Sequence, residues 1–134
     1  MIPVIQKYFH IPNKQKGDCY RAAIASVIEC EIEDLPRPLI KESWSKYCFK
    51  LDEKLKTMGW MTTQYGIRTI KEGMLSSPDT DGYVLALGKS PRFNGTDRIN
   101  HFIVWRNGLA HDPHPDNLGI LDIIDFEILT KINS

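Results

Sequence analysis

Residues 100–115 read NHFIVWRNGLAHDPHP. Two apolar runs flank Asn107-Gly108, a pair that favours a two-residue hairpin turn of the I′ type because both central positions need positive φ. Closing the turn there pairs Arg106 with Leu109, Trp105 with Ala110, Val104 with His111 and Ile103 with Asp112. Side chains alternate faces along a strand, so His101, Ile103 and Trp105 share a face with Ala110 and Asp112, and His111 takes the other. On this register Asp112 is the diagonal cross-strand neighbour of His101, within reach of a ring nitrogen. A slip of one residue would reverse every assignment.

Working outward, YVLALG (83–88), the run 99–105, the run 108–112 and GILDIIDFEIL (119–129) read as strands. Before SSPDTDG the period is helical. Residues 18–30 form an apolar helix with Asp18 at the N-cap, closed by the two prolines of EIEDLPRP. A second, amphipathic helix covers 41–58 through Trp44, Tyr47, Cys48, Leu51 and Leu55, with Gly59 as its stop. A short helix at 67–73 is compatible with the pattern. Helices first and strands after imply an α+β domain with an antiparallel sheet, one domain over residues 1–134.

Composition narrows the function classes. Lys plus Arg and Asp plus Glu both number 17, so no basic stripe points to nucleic acid. The N-terminus MIPVIQKYFH lacks the form of a secretory signal, and no apolar run approaches the ~20 residues that span a bilayer. Three cysteines without paired spacing fit a reducing cytosol better than a disulfide scaffold. The expectation is a soluble, cytoplasmic protein with no membrane or nucleic-acid partner.

Chemistry concentrates at QKGDCYRAA (15–23), where Cys19 sits at the mouth of the first helix. Unpaired backbone N–H groups and the macrodipole favour an anion there, and a thiol in such a place tends toward the nucleophilic thiolate. The Asp18 carboxylate next door works against this, so an imidazolium nearby would have to outweigh it. The helix alone leaves open that Cys19 is a small packed residue. Cys30 and Cys48 read as ordinary half-buried thiols.

Of the histidines, His10 and His114 read as loop residues and His111 falls on the wrong face. His101 is then the base and Asp112 the carboxylate that fixes its tautomer, the logic of acyl-transfer triads. HDPHPD could also be a metal patch, but no second ligand cluster accompanies it, and no cofactor is expected. The loop KSPRFNGTDRIN (89–100) precedes His101 and should wall a cleft. Its Arg92 could contact a substrate carboxylate, or simply be solvated.

The pattern IPVIQ, GDCYRAAIAS and NHFIVWRNGLAHDP resembles the papain-like cysteine peptidase superfamily. In order and spacing it is most similar to the leader (double-glycine) peptidases of bacteriocin exporters, and it also resembles small papain-like proteins of bacteria and phages. The resemblance spans most of the chain except about 37–80. It implies a helix bearing the nucleophile packed on an antiparallel sheet bearing the base. It also implies an oxyanion-hole glutamine, for which Gln6 fits by motif and Gln15 by proximity, while Asn13 occupies the usual spacing. Tyr20 stands where the leader peptidases carry glycine, so leader processing is not carried over. The resemblance thus implies a cysteine-dependent hydrolase or acyltransferase acting on a peptide, isopeptide or small amide. A catalytically silent binding module on the same fold, with an accessory or host-interaction role, is the alternative. A cell-wall amidase is disfavoured by the lack of a signal segment.

Overall fold

The computed structural model describes residues 1–65, 82–92 and 99–132. The helix expected at 67–73 lies outside them. The elements are α1 (Cys19–Ile28), a 3₁₀ turn at Ile32–Asp34, α2 (Trp44–Thr57), β1 (Trp60–Gln64), β2 (Val84–Lys89), β3 (Asn100–Trp105), β4 (Leu109–His111) and β5 (Ile123–Lys131). The fold is α+β: the two helices accompany one five-stranded antiparallel sheet of order β1-β5-β2-β3-β4.

Helix α1 is nearly all apolar and small, so it packs tightly. Tyr20 and Ala22 to Ala25 are buried in one cluster with Tyr47, Leu51 and Leu55 of α2 and with Leu85, Val104 and Leu129 of the sheet. The alternate strand residues Val84, Ala86, Ile103 and Phe126 form a second cluster on the other face. This is the period-two pattern expected of strands buried on both sides. Truncating Leu51 or Leu55, both fully buried, would cost roughly 2–5 kcal/mol.

Helix α1 stops at Ile28, short of 30 and of the two prolines, because Glu29 takes a left-handed conformation with φ 61°. Other departures from expectation also have local reasons. Helix α2 begins at Trp44, not 41, because the Ser43 hydroxyl accepts from the Lys46 N–H at 3.1 Å and caps it. The strand β1 was not expected: WMTTQ is a mostly exposed edge paired only with β5. In the hairpin, Val104 does face His111, but Trp105 faces Leu109, so Ala110 is an extra residue and the turn is three residues, 106–108. Asn107 and Gly108 both hold positive φ, at 56° and 136°. Finally, β5 starts at Ile123, because residues 119–122 are diverted to the site and to Lys89, whose carbonyl accepts from the Leu121 N–H.

The N-terminal segment lies across α1 and β4 as a strap. Ile2 N–H donates to the Ser26 carbonyl, Val4 N–H to the Ser26 hydroxyl at 2.9 Å, and Gln6 N–H to the Pro113 carbonyl at 3.0 Å. His111 Nε2 pairs with the Val4 carbonyl at 2.7 Å. His111, excluded as the base, is therefore part of the strap's anchorage.

Candidate active site

Cys19 is the first residue of α1, and His101, the second residue of β3, stands beside it, near enough for the thiol to act on the ring. His101 Nε2 pairs with Asp112 Oδ1 at 2.6 Å. That bond leaves Nδ1 for the sulfur. Cys19, His101 and Asp112, expected from the sequence as nucleophile, base and orienter, are therefore brought together. They meet despite the bulge at Ala110, because the bulge lies on the turn side and the Val104–His111 pair beyond it keeps the expected register toward Asp112.

Asp112 is buried and accepts four hydrogen bonds. Besides His101, the His114 N–H donates to Oδ1 at 2.9 Å, and the Gly119 N–H and Arg92 donate to Oδ2 at 2.8 and 2.7 Å. Burial alone would raise its carboxyl. The His101 bond, the two backbone donors and the imidazole charge outweigh burial and hold it well below the ordinary carboxylate range. Burial likewise pulls His101 down, but the bond to Asp112, the Cys19 thiol beside the ring and their charges raise it to about 9. The ring is thus an imidazolium at neutral pH, poised beside the sulfur.

Asp18 corrects one expectation. It occupies the N-cap position, yet its side chain makes no capping bond. One oxygen accepts the Tyr8 N–H at 2.8 Å and the other pairs with Arg21 at 3.3 Å, and both residues are buried. Its charge is therefore matched by a guanidinium, and the first-turn N–H groups of α1 are left without a side-chain cap.

Of the three oxyanion candidates, Gln6 is buried, and its Nε2 lies 3.6 Å from where a Cβ on Gly17 would stand, two residues before Cys19. One Nε2 hydrogen goes to the Tyr8 carbonyl at 2.8 Å, which leaves a second. Gln15 instead donates to the Phe9 carbonyl, and Asn13 is exposed at the tip of the 11–15 turn with φ 61°.

Arg92 is not free to read a substrate. Its guanidinium joins Asp112 to Asp116, with Nε–Oδ2 2.7 Å and NH2–Oδ1 2.5 Å to the latter. It holds the Asp112 carboxylate from the side opposite His101. The tip of its loop, 93–98, expected to wall a cleft, lies outside the described residues. Sequence reasoning missed Asp116, Gly119 and the Asp18–Arg21 pair. The Asp-Pro-His turn at 112–114 and the i,i+3 spacing of Asp18 and Arg21 were the available signals.

A cavity of about 490 Å³ opens beside Cys19, lined by Tyr20, Trp44 and Phe102, with Asp52, Thr62 and Glu127 among its other walls. Among the described residues no group of three or more His, Cys, Asp or Glu is placed to hold a metal ion, HDPHPD included. No described helix is long and apolar enough to cross a membrane. No family model, curated protein or solved structure matches this chain.

Proposed function

We propose that this protein is a papain-like, cysteine-dependent hydrolase or acyltransferase acting on the carbonyl of a peptide, isopeptide or small amide. One observation carries the reading: His101 is bonded at one nitrogen to a buried, fully satisfied Asp112 and interacts through its ring with a thiol at a helix mouth. A structural histidine needs one partner. This one has a carboxylate on one side and a nucleophile on the other.

In the first step the proton of Cys19 resides on His101 Nδ1 and the sulfur attacks the acyl carbon. The carbonyl π electrons move to oxygen, which accepts hydrogen bonds from the Cys19 N–H and the second Gln6 Nε2 hydrogen. Collapse of that intermediate expels the amine, which takes the Nδ1 proton, and leaves a thioester. Neutral His101 then removes a proton from water, or from an acceptor amine, as it attacks the thioester, and returns that proton to the departing sulfur. Asp112 keeps its negative charge throughout and holds the ring orientation. The substrate is the only partner this chemistry requires. The three free thiols suit a reducing compartment such as the cytoplasm.

Selective alkylation tests the reading. Burial, followed by nearby carboxylate charge, pushes the Cys30 and Cys48 thiols up to about 11, so neither competes at neutral pH. Iodoacetamide at pH 7 is expected to label one site, lost in Cys19→Ala and kept in Cys30→Ala and Cys48→Ala. Equal labelling of the three thiols in the folded protein would rule the assignment out.

A further inference from the structure

The cavity beside Cys19 has a distinct chemical pattern. One side is aromatic: Tyr20 and Phe102 have ring centroids 4.3 Å apart, and Trp44, half exposed, lies 5.4 Å from Tyr20. Trp44, Cys48 and Asp52 recur every four residues along α2, so one helix face carries an aromatic ring at one end of the lining and a carboxylate at the other. Opposite Asp52, the sheet presents Thr62 of β1 and Glu127 of β5. The Tyr20 hydroxyl donates to Glu127 at 2.6 Å, and Thr62 donates to Asp52 at 3.3 Å.

Among the described residues no lysine or arginine lines the cavity, and neither Asp52 nor Glu127 has a cationic partner. Burial, only partly offset by the Tyr20 bond, and then the Asp52 charge hold the Glu127 carboxyl above its usual range. Two neighbouring carboxyl groups thus stand in a pocket next to the thiol with no cationic partner among the described residues. An entering cation would relieve that repulsion, and its alkyl stem and charge would both suit the aromatic wall.

We propose that this cavity is the specificity pocket of the site, and that it takes one cationic side chain of the substrate, lysine or arginine. The inference rests on the proposed thiol chemistry and names its substrate class. It reverses the acidic preference expected from Arg92, which is spent on Asp112 and Asp116.

The test uses dipeptidyl acyloxymethyl ketones with lysine, norleucine or glutamate at the first or second residue from the ketone. Alkylation of Cys19 is expected to be about tenfold faster with lysine than with norleucine at one of these positions, and slowest with glutamate. Asp52→Asn should bring the lysine-to-norleucine ratio close to one, and Glu127→Gln should lower it. Because each ratio is taken within one variant, a general change in thiol reactivity or folded fraction cancels. Rapid iodoacetamide labelling of Cys19 with no lysine preference at either position would overturn the pocket assignment and leave the thiol chemistry standing. If Cys19 proves unreactive, titrating the Cys19→Ala protein with agmatine while following tryptophan fluorescence decides the pocket separately. Saturable quenching that Asp52→Asn weakens supports it, and no quenching overturns it.

Discussion

Asp112 is negative over the whole range in which the protein would work, and His101 keeps its proton up to about pH 9. The signs of the two shifts give different consequences. A carboxylate depressed by folding adds stability that is present above its unfolded value of about 3.9 and is lost as pH falls through the lower folded value. An imidazole raised by folding adds stability that is complete below about 6.5 and is lost as pH rises through about 9. The same upper limit applies to catalysis, since the leaving amine needs the Nδ1 proton. For an amide substrate kcat/KM is expected to fall on the alkaline side near pH 9, while Cys19 alkylation, which needs only the sulfur, does not. In Asp112→Asn the amide cannot stabilise the imidazolium. The alkaline limb should move down by about one to two pH units and kcat/KM should drop about 10²- to 10⁴-fold. A pH–rate profile whose alkaline limb stays in place in this variant would separate Asp112 from the base.

At the scale of elements, the site depends on how β2, β3 and the approach to β5 close together. Gly88 pairs with His101 across the ladder, and a Cβ on Gly88 would stand 2.1 Å from the Asp122 carbonyl oxygen and 2.7 Å from Ile120. The close approach excludes any side chain. It is also what lets 119–122 pass near enough for the Gly119 N–H to reach Asp112. Gly88→Ala is therefore expected to destabilise by about 3 kcal/mol, at the upper end of ordinary overpacking, read as a lower urea midpoint. A midpoint shift under about 0.5 kcal/mol would mean that the loop gives way freely. This close passage also explains which elements were legible beforehand. The buried strands and the apolar helix announce themselves by period, because packing on one or both faces selects their residues. Strand β1 does not, since an exposed edge selects little, and 119–122 look like strand because Ile120 packs on the Val84–Phe126 cluster without extending a ladder.

Across the whole molecule, four segments far apart in sequence build one site: the strap at 1–8, the mouth of α1, the β3–β4 hairpin with its exit, and Arg92. Cys19, His101 and Asp112 were legible because a helix mouth and a hairpin register are local features. The partners of Asp112 and the Tyr20–Glu127 bond were not, because they depend on tertiary approach between segments that carry no shared pattern. The strap is the clearest such case, and Ser26 ties it down. That buried hydroxyl donates to the Ala22 carbonyl at 2.8 Å within α1 and accepts the Val4 N–H, so one side chain joins the helix bearing Cys19 to the segment carrying Gln6. Ser26→Ala leaves the Val4 N–H without its acceptor, a loss of about 1–3 kcal/mol, while the helix keeps its own ladder. If Gln6 is an oxyanion donor placed by the strap, this variant should lower kcat by about tenfold with little change in KM or in iodoacetamide labelling of Cys19. Gln6→Ala should produce the larger effect, about 10²-fold in kcat, and the double variant should add little to it. Additive losses would mean that Ser26 contributes only stability, and that the strap does not position Gln6.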